Sequence, residues 1–146
     1  MNSQQSVSIV MIEDDAGHAR LIEKNIRRAG ISNDINHFED GTSALKYLFD
    51  DPSGPAHNGP ALVLLDLNLP DMSGTSILEK IKQDETLHRT PVVVLTTTDD
   101  KVEIQRCYDL GCNVYITKPV NYESFADAIR QLGLFLSVIQ VPSAED

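Results

Sequence analysis

"VVVLTTTDD", residues 92–100, opens on four apolar residues in a row and then stops on three hydroxyls and two carboxylates. An unbroken apolar run is what a strand covered on both faces needs, whereas a half-exposed strand alternates. The reading is therefore a central strand whose polar end marks the edge of the core. Three other runs behave in the same way. VSIVMI (7–12) stops on Glu13, Asp14 and Asp15, ALVLL (61–65) on Asp66, and VYI (114–116) gives way to Lys118. DINHF (34–38) is more polar and suits an edge strand. Between these runs Ala19, Ile22, Ile26 and Ala29 recur at helical spacing, as do Ile77, Leu78 and Ile81, and Ile104, Cys107 and Tyr108. Gly30 and Gly111 stand where two of the helices would be capped. Strand and helix alternate five times, which predicts an α/β fold: a doubly wound, five-stranded parallel sheet with helices on both faces. DDPSGPAHNGP (50–60) reads as a surface loop, not a domain boundary.

The chain of 146 residues has the length of one domain, with a core of about 7–139 and a tail of 140–146. Its formal net charge of -10 would be repelled by a phosphate backbone or an anionic membrane surface, so no nucleic acid and no membrane is expected as a partner. The two cysteines, Cys107 and Cys112, form no CxxC and read as reduced packing residues. MNSQQSVS lacks the basic flank and apolar core of a signal peptide, and no apolar stretch reaches the about 18 residues of a membrane span. A cytoplasmic protein is expected.

In a doubly wound parallel sheet the C-terminal strand ends lie along one edge, where such folds bind ligands. Glu13, Asp14, Asp66, Thr96 and Lys118 would converge there. Clustered carboxylates repel one another unless a cation sits among them, and an oxygen-only donor set without His or Cys suits Mg²⁺. Lys118 and Thr96 offer an ammonium and a hydroxyl to an added anion. Asp66, at the end of the central strand, is the carboxylate best placed to attack phosphorus and form an acyl phosphate.

MIEDD, LLDLNLPDMSG, VVVLTTTDD and VYITKPVN, in that order and each at a strand end, resemble the receiver domain of two-component response regulators. The likeness runs from about residue 7 to 139. Within the family, the DLNLP loop, the Gly/Pro insertion, ITKPVN and the helix entering FLSVIQVP are most like the single-domain regulators that partner bacterial phytochromes. The resemblance implies a flavodoxin-like fold with strand order 2-1-3-4-5, and an Asp66 that accepts phosphate from a sensor histidine kinase, a bacteriophytochrome being the candidate. Asp14, Asp66 and the backbone carbonyl of Asn68 would ligate Mg²⁺, with Glu13 acting through water. Thr96 would follow the phosphoryl oxygens, Lys118 would pair with them, and Thr97 and Thr98 would tune access and lifetime. Tyr115 would change rotamer with Thr96, and the Lys118-Pro119 bond would be the family's cis peptide. The signal would leave by docking through the fourth long helix, the fifth strand and the fifth long helix, since no output domain is legible after Ile139.

Blander readings stand beside these. Asp15, Asp99 and Asp100 sit where helices begin and suit N-caps. Tyr115 could be core, and His18, His37, His57 and His88 form no cluster and read as surface or packing residues. An aspartyl-phosphate phosphohydrolase would share Asp, Mg²⁺, Thr and Lys, but it usually carries a second acid two residues after the nucleophile, where this chain has Asn68. A pseudo-receiver binding module typically lacks the nucleophile or the lysine, and both are present. The expectation is thus a phosphoacceptor switch and not an enzyme acting on external substrates. Finally, Phe125, Ile129, Leu132, Leu136 and Ile139 form one apolar stripe, while Leu134, Val138 and Val141 form a second on the opposite face with Phe135 beside the first. An unpartnered second stripe predicts a homodimer through Leu134, Phe135, Val138 and Val141.

Overall fold

The computed structural model describes residues 7–118, together with Glu123 and Asp127. Pro119 and the four proposed dimer residues, Leu134, Phe135, Val138 and Val141, lie outside the described residues.

Five strands, β1 (Ser8–Ile12), β2 (Ile35–Phe38), β3 (Ala61–Leu65), β4 (Val92–Thr96) and β5 (Val114–Thr117), form one parallel sheet in the order β2-β1-β3-β4-β5. The helices are α1 (Ala16–Arg28), α2 (Gly41–Leu45), α3 (Pro55–Asn58), α4 (Gly74–Gln83) and α5 (Lys101–Leu110), with a wider π-type turn over Lys46–Asp50 after α2. Side chains alternate across the pleat, so each strand feeds two cores. Val10, Ile12, Val63, Leu65, Val92 and Val94 meet Ala44, Leu48, Ile77, Leu78 and Ile81 on one face. Ile9, Met11, Leu62, Leu64, Val93 and Leu95 meet Ala19, Ile22 and Ile26 of α1 on the other. Each fully buried aliphatic side chain contributes about 2 kcal/mol, and the unbroken runs of β1, β3 and β4 are what two-sided burial requires.

Several local expectations need correction. β5 is not a fully covered strand: it forms an edge, and Val114, Tyr115 and Ile116 are only half-buried. The run also continues through Thr117, while β4 extends to Thr96 because that hydroxyl residue still pairs with Thr117. The 50–60 loop contains α3, whose first residue is Pro55 and whose N-cap is Gly54. A proline at the first helical position costs no hydrogen bond. A Cβ at Gly54 would fall 1.9 Å from the Tyr47 carbonyl oxygen, so only glycine lets the chain turn there. Tyr108 leaves the apolar stripe of α5 for the surface, and its hydroxyl accepts from the Tyr115 N–H at 3.1 Å.

α5 ends in a Schellman motif. Gly111 adopts φ 108°, its N–H reaches the Tyr108 carbonyl, and the Cys112 N–H reaches the Cys107 carbonyl at 3.0 Å. Both cysteines are free and buried, and burial pushes the Cys112 thiol up to about 11, as inert packing thiols require.

Candidate functional site

The four strand ends do converge. Glu13, Asp66, Thr96 and Lys118 are all buried, while Asp14 and Asp15 are exposed. Backbone hydrogen bonds fix each of the four. Glu13 N–H donates to the Phe38 carbonyl, Asp66 N–H to Ile12 at 3.0 Å, and Lys118 N–H to Thr96 at 2.7 Å. The loop after Asp66 is held by α4: the Gly74 N–H donates to the Leu67 carbonyl, and a Cβ on Gly74 would lie 2.4 Å from the Asp66 carbonyl oxygen. Glycine therefore seats α4 directly against the strand end that carries Asp66. The same loop is tied to α2, because the Asp71 carboxylate accepts from the Gly41 and Thr42 N–H groups, both at 2.8 Å, and from the Thr42 hydroxyl. The Thr42 hydroxyl and these amides hold the Asp71 carboxyl down to about 2.

The Lys118 ammonium is the hub. It donates to Glu13 Oε1, to Asp66 Oδ2 at 3.2 Å and to His18 Nδ1 at 3.2 Å. Desolvation by burial pushes the Glu13 carboxyl up, the Lys118 hydrogen bond opposes it, and the Asp66 charge adds to it. Asp66 is held at both oxygens, since Oδ1 accepts from the Asn68 N–H at 3.0 Å. The Asn68 amide also reaches Thr96 Oγ1 at 3.4 Å and Thr97 Oγ1 at 3.5 Å, so it bridges the Asp66 loop to the hydroxyls after β4.

Glu13, Asp14 and Asp66 place carboxylate oxygens within 4.8 Å of one another, a spacing and a donor chemistry that fit a hard divalent cation. Asp15 turns away: it N-caps α1, accepting from the His18 N–H at 3.0 Å, and that bond holds its carboxyl below the usual range. Asp100 likewise caps α5 by accepting from the Val102 N–H. The Tyr115 hydroxyl donates to the Thr98 carbonyl at 2.6 Å, which ties β5 to the loop that follows Thr96, and burial pushes the phenol up to about 12.

Two histidines read as surface or packing residues belong to the site's surroundings. His18 contacts Lys118 as above, and the His37 ring donates from Nε2 to the Glu13 carbonyl at 2.7 Å. A signal for His18 was present in the sequence. It lies three residues after the α1 N-cap, and helical side chains tilt toward the N-terminus, here toward the strand edge. His37 carried no such signal, since only the pairing of β1 with β2 brings it to Glu13.

The acidic triad, the buried ammonium and the hydroxyl thus share the C-terminal edge of a doubly wound sheet, where folds of this architecture bind ligands. Residues 9–130 match the response regulator receiver domain. A response regulator receiver domain from Rhodospirillum rubrum has a crystal structure that is 70% identical, with a TM-score of 0.79 over 94% of this chain and 98% of that one. The phosphorylated cyanobacterial phytochrome response regulator RcpA is 34% identical, with a TM-score of 0.76 over 95% and 100%. The response regulator Rcp1 of Synechocystis is 32% identical over 93% of each chain, and a crystal structure of an Mn²⁺-bound Rcp1 superposes with a TM-score of 0.74 over 94% and 100%, at 30% identity. The chain belongs to the response regulator receiver domain family, with relatives among the phytochrome response regulators.

Proposed function

We propose that this chain is a cytoplasmic response regulator receiver domain that receives a phosphoryl group on Asp66 from a sensor histidine kinase, a bacteriophytochrome being the candidate. The observation that carries the reading is the Lys118 ammonium seated between Glu13 and Asp66, with Asp14 within ligand reach of both. In the transfer, an Asp66 carboxylate oxygen forms a bond to phosphorus as the donor's P–N bond breaks, and the electron pair leaves with the kinase imidazole. Asp14, Asp66 and the Asn68 carbonyl, with Glu13 through water, would hold Mg²⁺, whose charge would let the two anions meet. The Mn²⁺-bound form of Rcp1 supports a divalent-cation site in this family branch. Lys118 then pairs with the phosphoryl oxygens in place of the Asp66 carboxylate. Asn68 stands where a phosphohydrolase would carry its second acid, and its amide already faces Thr96 and Thr97, which favours a switch over turnover of outside substrates.

The switch runs through Thr96 and Tyr115. Drawing the Thr96 hydroxyl to the phosphoryl group shifts the loop whose Thr98 carbonyl holds the Tyr115 hydroxyl, so the face made by α5 and β5 changes shape. The second apolar stripe, Leu134, Val138 and Val141 with Phe135, supports a homodimer on the sequence pattern alone. NMR of the protein with Mg²⁺ and beryllofluoride, a phosphoryl mimic, tests the route. Amide shifts at 66–68, 96–98 and 114–117 are expected in the parent, and Thr96→Ala will keep the first group and lose the last. Shifts at 114–117 that survive in Thr96→Ala would refute the route. Light scattering on the same samples decides the dimer, which a monomeric parent would exclude.

A further inference from the structure

The Lys118 ammonium has three N–H donors and, with its side chain buried, three acceptors within reach: two carboxylates and the His18 ring. An ammonium has nothing to accept with, so in this contact Nδ1 of His18 is the acceptor. The imidazole is 45% exposed, so it sits at the mouth of the site while its Nδ1 faces inward. The Asp15 cap fixes the backbone that carries it.

We infer that His18 is a positioning residue that keeps the Lys118 ammonium aimed and screens it from water, and thereby sets the lifetime of the phosphoryl group on Asp66. The inference rests on the Asp66 reading above. Of the three partners of Lys118, His18 is the one with no part in the proposed phosphoryl transfer or cation binding. Phosphorylation converts one Asp66 oxygen into the bridging oxygen of an acyl phosphate, and a divalent cation competes for both carboxylates. His18 remains as the fixed acceptor that holds the third N–H while the other two follow the phosphoryl oxygens. Without it, the ammonium gains rotational freedom and the α1 side of the site opens. Hydrolysis then quickens: a water oxygen bonds to phosphorus, the bond from phosphorus to the Asp66 oxygen breaks, and carboxylate and inorganic phosphate are released.

The test compares the parent, His18→Ala and His18→Asn. Alanine keeps the helix but removes the acceptor. Asparagine restores one, since its Oδ1 branches from Cγ as the ring Nδ1 does. After labelling with acetyl phosphate and Mg²⁺ and removal of the donor, intact-protein mass spectrometry follows the loss of phosphate. His18→Ala is expected to shorten the lifetime roughly tenfold, the size of one lost hydrogen bond to a charged group, and His18→Asn to return it to within about twofold of the parent. In the unphosphorylated protein, the ¹⁵Nζ resonance of Lys118 is expected to move in His18→Ala and to return in His18→Asn. An alanine variant with the parental lifetime, an asparagine variant as short-lived as alanine, or an unmoved Lys118 resonance would overturn the role. A parent that takes no label would count against Asp66 as acceptor, and the Lys118 resonance would still decide on His18.

Discussion

Lys118→Met will be less stable than the parent by about 3 kcal/mol in EDTA, and millimolar Mg²⁺ will restore most of that loss. The methionine fills the volume of the lysine stem, so packing is nearly conserved. What disappears is the ammonium bonded to both Glu13 and Asp66, which are buried and hydrogen-bonded to it in the parent. Removing one partner of a buried ion pair leaves the other charge uncompensated, which costs about 3–5 kcal/mol. A divalent cation among Glu13, Asp14 and Asp66 supplies the missing positive charge, so the variant will gain more from Mg²⁺ than the parent does. Urea unfolding with and without Mg²⁺ checks this. Equal Mg²⁺ stabilisation of both proteins would separate the cation from the Lys118 pocket.

Asp14→Asn will weaken Mg²⁺ binding by roughly tenfold or more, whereas Asp15→Asn will leave it within about twofold. The two residues are neighbours in sequence and both exposed, so composition and burial cannot separate them. Their geometry does. An Asp14 oxygen lies within 4.8 Å of ligand oxygens of Glu13 and Asp66, while Asp15 spends its carboxylate on the start of α1. Asparagine caps a helix as well as aspartate, so Asp15→Asn also keeps α1 intact. Calorimetric Mg²⁺ titrations of the two variants decide between the positions, and a dominant Asp15 would place the cation one residue further along the β1–α1 turn.

Most of this site was legible because strand ends in a parallel sheet share one edge, which converts a one-dimensional pattern into a cluster. The apolar runs of β1, β3 and β4 announced themselves, and the residues that stopped them, Glu13, Asp14, Asp66 and Thr96, needed no tertiary information beyond the sheet. β5 was harder, since a three-residue run does not say whether one or both faces will be covered. α3 was hidden by its own composition, because Gly54, Pro55 and Gly59 signal turns as readily as they signal a helix that begins on proline and ends on glycine. The Asp71 tie to α2 spans about thirty residues of sequence and depends on two loops meeting, which no local pattern encodes. The contact of His18 with Lys118 was not legible, because the two lie a hundred residues apart.

Asp66, among the carboxylates of this edge, is expected to carry the phosphoryl group. The most direct measurement labels the protein with acetyl phosphate and Mg²⁺, traps the acyl phosphate by borohydride reduction of the aspartyl group to homoserine, and locates that residue by peptide mass spectrometry. Homoserine at position 66, absent when Mg²⁺ is chelated and absent in Asp66→Asn, is the predicted result. Homoserine at 14 or 15, or undiminished labelling of Asp66→Asn, would contradict it.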